Sequence, residues 1–244
     1  MRWRWAHWAV SLLVIQTAVC SGGTSAAPVP TTMVGDSAPA PPVDIGLLQV
    51  TRTIAVGVAP AGIAVDPEAH RVYVANQEGG TVSVVDARTQ VVTNTVAVGG
   101  RPTSLAVDPM THRVYVALPD EQSIAVLDGV SRTLLAPLPV DFQPRRLAIN
   151  PMAHRICAAG TQTIRQANVA VLQEIDTDTG QVGAMLALGE DADTRGLAVD
   201  PFTGRVYGTG SAVGNGAVAV MLDGESLQKL ADRVLGEDAF AIAV

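Results

Sequence analysis

Aromatic residues and cysteines are scarce in this sequence. Its 244 residues include 3 Trp, 3 Tyr, 3 Phe and 2 Cys, and the tryptophans are Trp3, Trp5 and Trp8. Residues 28–244 contain one cysteine, Cys157, so no disulfide can form within them. Basic residues are fewer than acidic ones: the sequence has 16 Lys and Arg and 23 Asp and Glu, which gives a net charge of −7. This balance argues against nucleic acid and anionic membrane surfaces as partners, since both attract basic proteins.

Residues 1–27 have the organisation of an export signal. Arg2 and Arg4 give a positive start, Ala9–Val19 is apolar, and Ser25–Ala27 supplies small residues for cleavage. The apolar stretch of 11 residues is shorter than the roughly 20 that span a bilayer. We expect a signal peptide here, and an exported protein that is periplasmic, secreted or on the cell surface.

Two alternatives to a cleaved signal stay open. One is a retained signal anchor. The other is a lipid anchor at Cys20, although the residues before this cysteine fit a lipidation site poorly. With the signal removed, the mature form is expected to have no transmembrane helix.

Residues 28–46 are predicted to be a disordered linker, because prolines recur there among small and polar residues. Residues 47–244 remain, and they are enough for one all-β domain. The five linker prolines are Pro28, Pro30, Pro39, Pro41 and Pro42.

One sequence motif recurs four times in residues 47–244. A short apolar run leads into an Asp-Pro or Asn-Pro step, and an Arg follows five residues after the Asp or Asn. Successive steps lie 42, 42 and 50 residues apart. A period in the low forties, built from short β-patterned segments, is typical of propeller blades, which cannot bury their faces alone. The repeated positions are Asp66 and Arg71, Asp108 and Arg113, Asn150 and Arg155, and Asp200 and Arg205.

This repeat predicts an all-β fold: a β-propeller of four-stranded blades, with about four complete blades and partial strands at both ends. Small apolar residues on both strand faces suit a sheet that neighbouring blades cover on both sides. In the second unit the strands are expected over Ser104–Asp108, Arg113–Ala117, Ile124–Asp128 and Thr133–Val140.

The acidic residues of the repeat are predicted to be structural. Each third strand ends in an Asp, followed three residues later by Thr or Ser, as at the head of a tight turn. An acid that recurs once in every blade is better explained by the fold than by catalysis. We also expect the first-strand Asp and the following Arg to pair across the hairpin, as Asp66 with Arg71. The third-strand acids are Asp86, Asp128, Asp176 and Asp223.

These motifs resemble the YVTN-type β-propeller repeat family, within the WD-like and quinoprotein-like propellers. Val72–Asn76 stands where the name-giving Tyr-Val-Thr-Asn would be, and Gly80–Asp86 and Thr95–Pro102 fit the rest of the pattern. The resemblance is closest over residues 51–117 and covers 47–244. It implies the propeller fold and a surface or periplasmic protein, but it carries little about function.

Three of the four histidines, His70, His112 and His154, are 42 residues apart. Three histidines could hold zinc. However, each lies in the turn between the first two strands, and Gly204 takes the fourth place. A position that alternates His with Gly indicates a left-handed turn residue, so no metal site is predicted.

Cys157 stands where the other units have a tyrosine: Tyr73, Tyr115 and Tyr207. A nucleophilic thiol would need a lowered pKa and a base partner. We interpret Cys157 as a buried apolar filler of the strand instead.

The places that break the repeat are the candidate binding surface. Additions fall in the stretches 160–168 and 208–216, predicted to be loops on the same rim as the loops that enter each first strand. We expect a rim with a basic and an acidic sector that binds an unidentified protein or small ligand; solvated loop charges are the alternative. The acidic sector lacks a calcium-loop pattern. The candidate residues are Arg101, Arg145, Arg146, Arg165, Asn168, Glu190, Asp191, Asp193, Asn215, Glu237 and Asp238.

The sequence therefore favours a non-enzymatic binding or scaffolding module with no cofactor and no catalytic residues. It contains no Gly-x-Ser-x-Gly elbow, no metal-spaced histidine pair and no phosphate loop. The alternative is a propeller enzyme, a lactonase-like hydrolase or a quinoprotein-like dehydrogenase, with a metal or cofactor on the axis.

The number of blades is unresolved by the sequence. Arg52–Val56 resembles a fourth strand without its blade, and Phe240–Val244 resembles a first strand. The chain could be a small ring, an open arc that a second copy completes, or a truncated reading frame. An open arc would expose two sheet faces and favour self-association.

Overall fold

The strands follow the predicted repeat. This computed structural model describes residues 52–190, 193–212, 216–224 and 226–236. In these residues sixteen strands form four antiparallel four-stranded sheets, accompanied by one short 3-10 helix, Pro119–Glu121. The sheets belong to one compact unit, Ile54–Val244. The predicted signal peptide (1–27) and linker (28–46) lie outside the described residues.

Each sheet is built from strands that are consecutive in the chain, so each is one blade. Blade 1 comprises β1 Pro60–Asp66, β2 Arg71–Asn76, β3 Thr81–Asp86 and β4 Val91–Ala97. Blade 2 comprises β5 Ser104–Val107, β6 Arg113–Leu118, β7 Ser123–Asp128 and β8 Leu138–Pro139. Blade 3 comprises β9 Gln143–Asn150, β10 Arg155–Ile164, β11 Ala167–Asp176 and β12 Val182–Glu190. Blade 4 comprises β13 Asp193–Val199, β14 Val206–Ala212, β15 Gly216–Leu222 and β16 Lys229–Gly236.

The fourth strand of blade 2 is shorter than predicted. We expected Thr133–Val140, but only Leu138–Pro139 forms a strand, with one isolated bridge from Leu134 to Leu127. Pro137 and Pro139 have no N–H to donate, which interrupts the ladder. The segment still follows its neighbour, because Leu135 N–H donates to the Val126 carbonyl at 2.8 Å.

The partial strands predicted at the two ends have different outcomes. Residues 52–56 are described and form no strand. Their place in the repeat is that of a fourth strand, which would pair with a third strand that no described residue supplies before them. Phe240–Val244 lies outside the described residues.

The hydrophobic core lies between the blades. Blade 2 shows why: in β6, Val114 and Val116 pack against blade 1, while the alternate residues Tyr115 and Ala117 pack against blade 3. All four side chains are at most 1% exposed. A sheet buried on both faces needs apolar residues at every position, which is what the second and third strands of the repeat contain.

Over the described residues, the blades follow one another without closing into a ring. The first strands contact each other in succession, β1 with β5, β5 with β9 and β9 with β13. The predicted all-β propeller of four-stranded blades is therefore confirmed, as an open series of four in the described residues.

The turns between first and second strands confirm the interpretation of the histidines. His70, His112 and His154 have φ of 51°, 57° and 53°, and Gly204 has φ of 69°. All four are left-handed, a conformation that costs glycine nothing. The recurring histidine is thus a turn residue.

The third-strand carboxylates hold their own turns, as predicted. Oδ1 of Asp86 accepts the N–H groups of Arg88 and Thr89 at 2.9 and 2.7 Å, and the Thr89 hydroxyl at 3.0 Å. Asp128, Asp176 and Asp223 accept hydrogen bonds from their own turns in the same manner. The Thr89 N–H is the largest of the influences that hold the pKa of Asp86 below its usual value.

The predicted pairing of Asp66 with Arg71 is wrong. The two residues face each other in the hairpin register, but both side chains reach into blade 2. Asp66 Oδ2 lies 2.7 Å from Nδ1 of His112, and an Arg71 guanidinium N–H donates to the Gly129 carbonyl. Arg113 repeats the second contact with the Thr177 carbonyl of blade 3, at 3.2 Å. These polar contacts join neighbouring blades and do not close single hairpins.

We predict that His112→Ala lowers the free energy of unfolding by about 1–3 kcal/mol, because it leaves the fully buried Asp66 carboxylate without its interblade partner. His70→Ala is the matched control, since His70 is exposed and has the same left-handed turn conformation. It should change stability by about 0.5 kcal/mol or less. Urea denaturation of both variants measures the difference. Equal losses would show that the turn, and not the pair, matters.

Candidate functional site

The described loops between the strands divide between two rims. Gly57 lies against Asn76, Gly100 lies against Glu121, and Gln162 donates to the Asp141 carbonyl at 2.9 Å. The segments that enter the first strands therefore share a side with the turns between second and third strands, as predicted. We call this side the loop rim: segments 57–59, 98–103 and 140–142, and turns 77–80, 119–122 and 165–166. The opposite side, called the turn rim, carries segments 67–70, 109–112, 151–154, 201–204, 87–90, 129–132 and 177–181.

Three arginines come together where first strands begin at the loop rim. Nε of Arg146 in blade 3 donates to the carbonyl of Arg195 in blade 4 at 2.7 Å, and its Nη1 donates to the Arg145 carbonyl at 3.0 Å. Arg145 Nη2 reaches Oε1 of Gln143 at 3.4 Å. All three arginines are half-buried. This arginine cluster, Arg145, Arg146 and Arg195, lies on first strands that contact each other, at the inner edge of the rim.

The arginine cluster joins two predicted residues to one that the sequence reasoning missed. Arg195 stands five residues before Asp200, as Arg145 stands five before Asn150. Aligning the repeats at this position would have found it. Blade 2 takes part through Thr103, whose hydroxyl donates to the Arg145 carbonyl at 3.3 Å.

The other predicted basic-sector residues are more dispersed. Arg101 is exposed on the loop that enters blade 2, on the loop rim. Arg165 and Asn168 are exposed farther out, at the end of the β10–β11 hairpin, where Asn168 Oδ1 accepts the Thr163 hydroxyl at 3.2 Å. No described contact joins these three to the arginine cluster.

Most of the predicted acidic sector lies outside the described residues. Glu190 ends β12 and Asp193 begins β13. Asp191, Asn215, Glu237 and Asp238 lie outside the described residues.

The stretches predicted as long loops are extended strands. In blade 3, β10 and β11 have 10 residues each, whereas β2 and β3 have 6. A two-residue turn joins them, and both its residues, Arg165 and Gln166, have positive φ of 49° and 72°. That conformation matches the twist of the flanking strands, which is why added residues lengthen the hairpin. Four extra residues at about 3.3 Å each raise this hairpin by about 13 Å.

In blade 4 too, a stretch that was predicted to be a loop is mostly strand. The stretch 208–216 belongs largely to β14 and β15, which pair as far as Ala212 and Gly216. Residues 213–215, between them, are outside the described part of the chain.

Cys157 is buried, as predicted, but it is not an isolated filler. Its Sγ donates to Oε1 of Glu174 at 3.5 Å, and Arg155 Nη1 lies 2.9 Å from Oε2 of the same carboxylate. Glu174 is 4% exposed and stands where blades 1 and 2 have Val84 and Val126. Burial, with Glu174 next, raises the pKa of the Cys157 thiol well above its usual value, so the thiol stays protonated. The sequence signal that was missed is a Glu inside an apolar third strand.

A cavity of about 90 Å³ lies between blades 3 and 4. Its walls include Leu172, Leu188 and Val220. The cavity exists because Gly208 stands where Val74, Val116 and Ala158 fill the space in the other blades. A Cβ added at Gly208 would have no atom within 4 Å.

The described residues contain neither a grouped set of metal ligands nor a membrane-spanning helix. No three His, Cys, Asp or Glu side chains there are grouped as metal ligands. No helix in that part of the chain has the length and apolar character to cross a membrane.

Comparison with known proteins shows the fold. No family model and no curated protein matches the chain. Among solved structures the chain is similar to hydrazine synthase from Kuenenia stuttgartiensis, with a TM-score of 0.65 and 24% identity over 77% of this chain. The likeness spans about half of that protein, 52% of its chain. It supports the propeller architecture.

We predict that the buried Glu174 makes stability depend on pH. Burial raises the pKa of Glu174. A raised carboxyl pKa contributes stability below the ordinary value of 4.5, and that contribution is lost as the pH rises through the folded value. Glu174→Gln, which stays neutral, should flatten this fall in stability above pH 4.5. Denaturant unfolding across this range measures it, and identical slopes in both proteins would contradict the assignment.

We predict that Gly208→Ala stabilises the protein by about 0.4–1 kcal/mol, because it reduces the freedom of the unfolded chain and places a methyl group in the cavity. Gly160→Ala is the control in the neighbouring blade. There the new Cβ would collide with the Gln143 carbonyl oxygen, and stability should fall. Thermal unfolding distinguishes the two, and a loss of stability in Gly208→Ala would show that the gap is needed.

Proposed function

We propose that this protein is an exported YVTN-type β-propeller that acts as a non-enzymatic binding or scaffolding module of the cell envelope, and that it binds its ligand on the loop rim. Export is supported by the signal-like residues 1–27, and the family by the repeat over 47–244. The likeness to a solved propeller supports the scaffold. Binding on such a scaffold usually resides in the loops that vary between repeats.

The observation that carries the proposal is the arginine cluster. Arg146 is held by the carbonyls of Arg145 and Arg195. This brings the backbones of three arginines together at the inner edge of one rim, in a protein whose net charge is −7. Guanidinium groups bind carboxylate, sulfate and phosphate groups through paired hydrogen bonds. The ligand is therefore an anionic group on a small molecule or on a protein.

The raised hairpin of blade 3 supplies a second contact. Its end exposes Arg165, Asn168 and the apolar Ile164, which is 43% exposed. A ligand seated on the arginine cluster and leaning outward would meet these side chains. The mix of a charged, a polar and an apolar residue suits a macromolecular partner better than a simple ion.

The test uses a defined polyanion. Arg145→Glu should weaken binding to heparin oligosaccharides by about tenfold or more, because a lost charged hydrogen bond is worth about 1.5–3 kcal/mol. Titration at two salt concentrations measures the affinity and its electrostatic share.

Arg88→Glu is the matched control, since it makes the same charge reversal at an exposed position on the turn rim. It should bind as the parent does. Equal weakening by both reversals would show a response to net charge alone. If the parent protein binds neither heparin nor polyglutamate, the proposal of an anionic ligand is rejected.

A further inference from the structure

Three departures from the repeat meet where blade 3 packs against blade 4. With the blades aligned at their Asp-Pro or Asn-Pro steps, Gly208, Thr194 and Arg146 each replace the residue type that the other blades have. A residue that the fold requires recurs in every blade, so departures that gather at one place indicate a function of that place. The counterparts are Val74, Val116 and Ala158 for Gly208; Pro60, Pro102 and Pro144 for Thr194; and Gly62, Ser104 and Gly196 for Arg146.

The first departure, Gly208, leaves the cavity of about 90 Å³ between the two blades. Its walls are mainly apolar, with Leu172 and Leu188 from blade 3 and Val220 and Leu222 from blade 4. An engineered apolar cavity of roughly 150 Å³ binds benzene, so by proportion this one accepts roughly four non-hydrogen atoms. That is the size of a short branched aliphatic group.

The second departure, Thr194, places a hydroxyl without a partner in the cavity wall. Thr194 is 5% exposed and lines the cavity. It pairs in register with Gly210, which also lines the cavity, so its side chain is on the side of blade 4 that faces blade 3. Its Oγ1 is buried and makes no hydrogen bond to any described residue. Since a buried hydroxyl without a partner lowers stability, this atom is available to a ligand.

The third departure, Arg146, brings a positive charge to the same place. It pairs in register with Ala159, which lines the cavity, so both side chains are on the side of blade 3 that faces blade 4. Its Nε donates to the carbonyl of Arg195, the residue that follows Thr194. Its bonds to described residues use Nε and Nη1, and they leave Nη2 for a ligand. The arginine cluster and the cavity therefore adjoin each other.

We propose that the arginine cluster and the cavity together bind a carboxylate that carries a short branched aliphatic group. The aliphatic group fills the cavity, and the carboxylate accepts hydrogen bonds from Arg146 and from the Thr194 hydroxyl. The inference rests on the anionic ligand proposed above for the loop rim, and it adds the chemical class of that ligand. A free short-chain acid and a polypeptide that ends in valine or leucine both have this chemistry.

Isovalerate is the probe for the free acid. Titration of the purified protein should show that isovalerate binds about tenfold or more tightly than acetate, because acetate lacks the carbons that the cavity buries. Isoamyl alcohol, which has the same aliphatic group without a carboxylate, should also bind about tenfold or more weakly than isovalerate. Equal affinities in either comparison overturn the proposal.

Gly208→Val tests the cavity. Valine fills this place in blades 1 and 2, and Gly208 does not have a positive φ, so the side chain suits the backbone. The variant should bind isovalerate as weakly as acetate and should still bind heparin. Ala231→Val is the matched control, because it introduces valine at an exposed position of the same blade. It should bind isovalerate as the parent does.

Two further variants keep the test decisive. If thermal unfolding shows that Gly208→Val disturbs the fold, Gly208→Ala, which fills less of the cavity, should still weaken isovalerate binding severalfold. Thr194→Val has the shape of threonine without the hydroxyl, and it should weaken isovalerate binding by about tenfold. Thr194→Ser keeps the hydroxyl and should bind nearly as the parent does. Parent-like affinity in both Gly208→Val and Thr194→Val overturns the site.

Heparin binding separates this inference from the proposal on which it rests. If the parent binds heparin but does not prefer isovalerate to acetate, the cavity has no ligand of this class, and the anionic rim stands. If it binds neither heparin nor isovalerate, both fall.

A short peptide that ends in valine distinguishes the two sources of the carboxylate. Tighter binding of the peptide than of isovalerate indicates a polypeptide partner, and weaker binding indicates a free acid. The same peptide with a C-terminal amide is the control, and it should lose the affinity because it has no carboxylate. Equal binding of the amide and the acid contradicts recognition of the carboxylate.

Discussion

The packing of neighbouring sheets, face against face, is the constraint on which this structure depends. No blade has a core of its own, because a single sheet has no interior. Val114 and Val116 are buried only because blade 1 lies on one side, and Tyr115 and Ala117 only because blade 3 lies on the other. This requirement explains why the central strands are apolar at successive positions, and why small residues dominate where two sheets approach closely.

Polar groups align the blades that apolar packing holds together. Apolar contact is non-directional, so it fixes how close two sheets lie better than how they are aligned. The pair of Asp66 with His112, and the arginine contacts to Gly129 and Thr177, tie particular turns of adjacent blades to each other. Recurrent acids and histidines that suggest catalysis in isolation are therefore parts of the scaffold. Functional candidates remain where the repeat varies, at the arginine cluster and the raised hairpin.

Sequence reasoning succeeded where a property belongs to one blade. Strand positions, the left-handed histidines and the Asp-headed turns follow from local spacing. It failed where a side chain contacts a neighbouring blade, as with Asp66, whose partner His112 is 46 positions away in the sequence. It also missed Glu174, which supplies a carboxylate beside Arg155 where Cys157 replaces the tyrosine. The stretches taken for loops were strands, because a two-residue turn at Arg165 and Gln166 carries added length into the hairpin. At the candidate site, Arg145 and Arg146 were identified but Arg195 was not.

The missing side chain at Gly208 has a consequence for how the protein comes apart. In a linear stack, each seam opens at a cost set by the two faces that meet there. The seam between blades 3 and 4 contains a gap, whereas the seam between blades 1 and 2 is filled by valine at the equivalent place. We therefore expect subglobal opening to begin with release of blade 4, so that amide hydrogens of β14 and β15 exchange with solvent before those of β2 and β3. The cost of separating neighbouring blades therefore differs along the stack: it is higher between blades 1 and 2, where the interface is filled, and lower between blades 3 and 4, where it contains the cavity.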